Sequence, residues 1–252
     1  MTFADIMALL PFVGIGFAAQ LIDGALGMAF GVINSTLLMS VMGVPPAAAS
    51  ASVHAVETFT TAASGISHTF HRNVDWKLFL RLMIPGVIGG AIGAYLLSNI
   101  DASVARPFVM AYLGAIGMYL LFRAWQGEHE HRTPRFVEPL GLAGGFLDAA
   151  GGGGWGPVVT SNLLVQGANP RKTVGTVNTA EFFLTATISA TFLWTLGWAA
   201  FTAQTIGILI GGLAAAPFGA VLVKRLSARK LMGFVGSLLV ATSGFSIYGA
   251  LA

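Results

Sequence analysis

Apolar residues run through this chain in long blocks, separated by short polar or glycine-rich interruptions, and the blocks predict ten helical pieces. They fall at 4–22, 27–43, 47–71, 76–99 and 103–125, then at 137–149, 155–167, 171–195, 199–224 and 228–251. Six of them, three in each half, have the roughly 20 residues that carry a helix across a hydrocarbon core about 30 Å thick. The period-2 alternation of a membrane barrel strand is absent, so the spans are read as helical. The two pieces beside residues 151–154 are about 13 residues each, too short to cross at about 1.5 Å per residue, and a re-entrant hairpin is predicted there. One clearly polar stretch, 126–138, divides a first unit, 1–125, from a second, 139–252.

The two units read as copies of one another. Asp23 and Asp148 lie 125 residues apart, each in a glycine-flanked break (21–31 and 147–156), with Gly27 and Gly31 answering to Gly152 and Gly156. Ser35 and Thr36 answer to Thr160 and Ser161. After a one-residue gap the match resumes, pairing Ser52, His54 and Glu57 with Thr176, Asn178 and Glu181, and Thr61 with Thr185. The predicted fold class is therefore an all-α integral membrane protein of two repeats, each a broken hairpin followed by three transmembrane helices. A carboxylate among glycines, repeated in both halves, suits a midplane site built from discontinuous helices.

Charge gives the repeats a direction. Charged residues are 9% of the chain, against roughly 25% in soluble domains, so the net charge of +3 reads as orientation rather than nucleic-acid binding. Arg72, Lys77 and Arg81, then Arg123, Arg132 and Arg135, then Arg171 and Lys172, and last Lys224, Arg225, Arg229 and Lys230 mark cytoplasmic junctions. The stretches 99–101 and 196–204 carry no positive charge and are placed outside. Each copy then crosses an odd number of times, which inverts the second copy and puts both termini outside. The N-terminus lacks the basic region of a signal peptide and is read as mature sequence. With no cysteine, disulfide and thiolate chemistry are excluded.

The candidate chemistry lies in buried polar groups. An acid at bilayer depth costs about 2.5–3.5 kcal/mol, so Asp23, Glu57, Asp148 and Glu181 would together cost on the order of 10 kcal/mol without a role. They are the candidate proton-coupling residues. His54, Glu57 and Thr61 share one helix face, and Asn178, Glu181 and Thr185 repeat it. Glycines at the breaks let half-helices begin there, where free N–H groups and the positive dipole end favour an anion. The candidate substrate contacts are Gly24, Gly27, Asn34, Ser35, Thr36, His54, Gly152, Gly153, Ser161, Asn162 and Asn178. Plainer roles stand beside these: N-capping for the aspartates, a structural hydrogen bond for the glutamates, packing for His54. The runs Gly89-Gly90 and Gly211-Gly212 read as close helix packing. Residues 128–131 (Glu-His-Glu-His) read as a solvated loop, and His68 and His71 as helix-end residues facing the dipole.

The doubled pattern of an acid and glycines in a broken helix, followed by a Ser/Thr-x-His/Asn-x-x-Glu element, resembles the TauE/SafE family of sulfite and organosulfonate transporters over nearly the whole chain. Its pattern falls on Gly24, Gly27, Gly31, His54, Glu57, Gly152, Gly156, Asn178 and Glu181, with a second break extended to four consecutive glycines. The resemblance implies a multi-pass carrier of the bacterial inner membrane that exports sulfite, sulfoacetate or related sulfonates with proton coupling. It implies no cofactor, no metal and no nucleic-acid partner, and leaves a homodimer open. Two other classes compete: a cation/proton antiporter that uses the same four acids as ligands, and an anion channel without a protonation cycle. An intramembrane aspartyl protease needs a Gly-x-Gly-Asp element that is missing, and no Gly-x-Ser-x-Gly nucleophile motif is present, so an enzyme is not expected.

Overall fold

Caps and prolines set most helix ends. Asp75 accepts the backbone N–H groups of Lys77 and Leu78 at 3.0 and 3.1 Å to start α4, and Asn169 accepts that of Lys172 at 3.1 Å to start α8. Proline opens α3 at Pro46 and α8 at Pro170, where a missing N–H costs nothing. Asp101 precedes α5, and the Ser103 hydroxyl and N–H hold its carboxyl below the usual range. The computed structural model describes residues 3–26, 28–125, 134–166, 168–198, 201, 203–223 and 228–251. Among them the helices are α1 Phe3–Leu26, α2 Phe30–Ser40, α3 Pro46–Phe70, α4 Trp76–Asn99, α5 Ala102–Trp125, α6 Val137–Gly151, α7 Ser161–Val165, α8 Pro170–Leu196, α9 Ala203–Val223 and α10 Ala228–Leu251. A π-helical turn, Gly156–Thr160, runs directly into α7. No strand occurs among the described residues.

The expected breaks are narrower than the sequence suggested. The first helix runs on to Leu26 and the sixth to Gly151, so Asp23 and Asp148 sit in last helical turns rather than inside the interruptions. The helical segment after each break is short: α2 has 11 residues, and the π turn and α7 have five each. At about 1.5 Å per residue these reach only about half a bilayer. The second hairpin returns to its starting face, since the Arg135 N–H before α6 donates to Gln166 Oε1 after α7 at 2.6 Å.

Helix pairing interleaves the two halves. The first helix packs on the ninth, the sixth on the fourth, the fifth on the tenth and the third on the eighth. By rank within each set of five, the α1/α9 pair corresponds to α6/α4. Glycines allow the closest crossings: any Cβ on Gly89 would run into the Leu142 backbone, and one on Gly211 into that of Val13. Both α4 and α5 are long and apolar enough to cross a membrane. Their outward faces, including Ile84, Ile88, Ile92, Phe108, Met118 and Phe122, are exposed apolar surface.

Cross-links define two opposite faces. On one, Lys172 Nζ donates to the carbonyls of Arg72 and Val74 at 2.9 and 3.3 Å. There too Asp75 N–H donates to Thr176 Oγ1 at 2.8 Å, and Arg81 forms a forked pair with Glu138 at 2.5 and 3.0 Å. On the other face Thr195 bonds Ser98 at 2.8 Å, Thr205 bonds Ser52 at 3.0 Å, and Arg106 donates to the Met39 carbonyl at the end of α2. Among the described residues the first face carries Arg72, Lys77, Arg81 and Lys172, and α3 and α8 run antiparallel between the two.

Candidate functional site

Each aspartate ties the end of one helix to the start of the next. Asp23 Oδ1 accepts from the N–H groups of Ala29 and Phe30 at 2.7 and 3.0 Å. Asp148 Oδ1 accepts from Trp155 N–H at 2.8 Å. The Phe30 and Trp155 bonds both span seven residues, so the correspondence of the two acids extends to their hydrogen bonds. The plainer capping role is what the geometry contains, and the half-helix donors expected to be free are already engaged by carboxylates. The two tips touch at glycine. A Cβ on Gly31 would stand 2.9 Å from Gly153 Cα, and one on Gly156 would stand 2.8 Å from Met28 Cα. Gly153, at φ 139°, occupies backbone space that favours glycine.

A cavity of about 270 Å³ lies against these tips. All four candidate acids line it, with Phe30, Gly31, Gly154, Trp155 and Gly156 at the tips. Its neutral polar side chains are Gln20, Thr60, Thr61, Ser64 and Asn178, and among the described residues no Lys or Arg lines it. From the third helix it takes Glu57, Thr60, Thr61, Ser64 and His68, and from the eighth Glu181, Asn178 and Val174. Every one of these lies at or beyond the glutamate in the direction of the basic face, so the cavity extends one way only. Among the described residues no three His, Asp or Glu side chains form a metal-binding group.

The opposite direction is closed. His54 Nε2 meets Asp148 Oδ2 at 3.1 Å, with both side chains buried, and His54 Nδ1 lies 2.7 Å from the Ser50 carbonyl. Ser50 Oγ donates to the Ala149 carbonyl at 2.7 Å, Ser35 Oγ to that of Gly152, and Tyr112 OH to that of Gly153 at 3.2 Å. Beyond Glu181 on the eighth helix, Leu184, Ile188 and Phe192 are fully buried.

The candidate substrate contacts therefore divide. Among the described residues only Asn178 lines the cavity, bonded to the Val174 carbonyl at 2.9 Å and accepting from Ser64 at 3.3 Å. His54, Ser35 and Gly152 belong to the closed side, and Gly153 to the contact between tips. Asn34 and Thr36 are buried in α2 with Asn34 Oδ1 and Thr36 Oγ1 lacking partners. Ser161 is buried beside Met28, and Asn162 is exposed. Gly24 lies within α1, and Gly27 and the Glu-His-Glu-His stretch fall outside the described residues. Residues 60, 64 and 68 were missed as lining, although the 57, 61, 64, 68 spacing continues the stripe that Glu57 begins. Nothing in the sequence points to Gln20 or to Trp155, whose fully buried ring donates Nε1–H to the Val177 carbonyl at 3.3 Å.

Comparison with known proteins gives this geometry a family. The chain is 43% identical over 241 residues to the probable membrane transporter protein YtnM of Bacillus subtilis, covering 92% of this chain and 80% of that protein. It is 25% identical over 219 residues to a probable membrane transporter protein of Haemophilus influenzae, covering 82% and 84%. No solved structure matches the chain. The sulfite exporter TauE/SafE family matches residues 12–245, nearly the whole length, and the chain belongs to that family as a membrane transporter of the TauE/SafE type.

Proposed function

We propose that the chain is a proton-coupled secondary transporter of small sulfur-containing anions, sulfite or a short sulfonate, in the bacterial inner membrane. It works by alternating access between two inverted five-helix repeats. One observation carries the reading: a cavity lined by Asp23, Glu57, Asp148 and Glu181 at the meeting point of two half-helices, extended toward the basic face and sealed toward the other. By the positive-inside rule the basic face is cytoplasmic, so this conformation faces inward. The family's description, sulfite exporter, supplies the substrate class.

Asp23 and Asp148 already occupy half-helix N–H groups, and the Thr60, Thr61 and Ser64 hydroxyls donate to the Glu57 carbonyl and to Asn178. The anion therefore takes its hydrogen bonds from Gln20 and the second amide hydrogen of Asn178, and from the hydroxyls as they turn away from those partners. An ionised Glu57 or Glu181 repels it. Protonating them removes that repulsion and adds O–H donors, so proton uptake favours substrate occupancy and proton release favours discharge. The four carboxyls and the lack of lining Lys or Arg also favour a second reading, cation/proton antiport.

Purified protein in proteoliposomes distinguishes the two. Sulfite or sulfoacetate flux that accelerates with an imposed pH gradient, with thermal stabilisation by the anion and none by sodium, supports the proposal. Stabilisation by sodium or another cation together with anion-independent proton flux would replace it with the antiporter.

A further inference from the structure

We infer that His54 and Asn178 are positioning residues that close the cavity in turn, each by holding the aspartate of the opposite hairpin. This rests on the alternating-access reading. In the sequence, His54 and Asn178 hold equivalent places one turn before Glu57 and Glu181, and Asp148 and Asp23 are equivalent acids. The observed pair, His54 with Asp148, therefore has one counterpart, Asn178 with Asp23.

The structure treats the two pairs differently. His54 and Asp148 are joined at 3.1 Å, out of solvent, on the closed side. Asn178 and Asp23 both line the cavity, and the hydrogen bonds of Asn178 go to Val174 and Ser64 instead. A second difference reinforces the first. Ser50 backs the closed pair by binding the Ala149 carbonyl, whereas its counterpart, Val174, is a cavity-lining residue with no hydroxyl to offer. One latch is shut where the cavity is sealed, and the other is undone where the cavity extends. In the opposite conformation Asn178 reaches Asp23 and His54 releases Asp148. The inner latch is an amide on a carboxylate without a serine behind it and the outer an imidazole with one, so the resting balance favours the inward-facing form.

The cysteine-free chain allows a direct test. Ile188, fully buried on the closed side, and His68, lining the cavity, are replaced singly (Ile188→Cys, His68→Cys), and labelling by a maleimide is timed in nanodiscs. The unmodified latches give fast labelling at position 68 and slow labelling at 188. Adding His54→Ala raises the rate at 188 about tenfold or more and lowers it at 68. Asn178→His, which gives the inner latch the stronger side chain, moves both rates the same way and keeps the test alive if His54→Ala fails to fold.

A packing role for His54 predicts something else, faster labelling at both positions as the bundle loosens, and that result would overturn the inference. So would unchanged rates in Asn178→His, provided that substrate or pH still drives the two reporters in opposite directions. If no condition moves them oppositely while transport proceeds, the alternating-access reading falls together with the latch.

Discussion

Four carboxyls in an apolar chain were legible at the residue scale because burying them is costly, and all four line one cavity. Their division of labour was not legible. Asp23 and Asp148 tie one helix end to the next, whereas Glu57 meets only the Gly31 N–H at the tip and both glutamates line the cavity, so on the proposed reading it is the glutamates that exchange protons. Glutamine mimics a protonated glutamate and cannot release its proton. Glu57→Gln and Glu181→Gln should retain sulfonate binding, read by thermal shift, but lose transport driven by a pH gradient in proteoliposomes. The binding affinity of at least one should also depend less on pH. Two variants that transport like wild type with an intact pH response would leave a uniporter or a channel. The aspartates should separate by partner. Removing either cap with alanine costs about 1 kcal/mol, and Asp148→Ala also strands the buried His54 that pairs with it. Thermal unfolding should therefore fall further for Asp148→Ala than for Asp23→Ala, and Asp23→Asn, which can still cap, should stay near wild type.

Helix limits were read well because an apolar block ends where a proline, a cap or a charge begins. The fourth and tenth helices match their expected limits, 76–99 and 228–251. The reading failed at the breaks, where an aspartate can sit in the last turn of one helix and still cap the next, seven residues on. That geometry uses the return of the chain and leaves no local signature. Which neutral side chains line the cavity depends on the rotation of the half-helices, and so Ser35 and Asn34 fell away from it while Gln20 and Trp155 arrived. The touching tips give the sharpest prediction at this scale. A methyl on Gly31 would meet Gly153 Cα at 2.9 Å and Glu57 Oε1 at 3.0 Å. Gly31→Ala must therefore part the hairpins and shift a proposed proton carrier, with an overpacking cost of about 1–3 kcal/mol. Lower thermal stability together with lost anion stabilisation is expected. Unchanged binding would move the site away from the tips.

The proposed internal repeat was read from the chain as a whole, but the way the two halves pack was not. Two similar halves could have stood side by side as separate bundles, and instead α1 lies on α9 and α6 on α4. Such interleaving follows from close glycine contacts between distant segments, which spacing within one helix does not reveal. The proposed inversion makes a claim about sides that cysteine labelling can settle. Trp198 lies 78% exposed after the eighth helix, next to a stretch without charge, while Lys77 is exposed in the first turn of α4 beside the cross-linked Arg72 and Lys172. Ser227, flanked by the strongest basic cluster, lies outside the described residues. The native chain contributes no thiol of its own. An impermeant thiol reagent added outside intact cells should label Trp198→Cys and leave Lys77→Cys untouched until the membrane is permeabilised. Both reacting from the outside would place the ends of α4 and α8 on one face. That contradicts the antiparallel run of α3 and α8 and removes the inward-facing reading of the cavity with it.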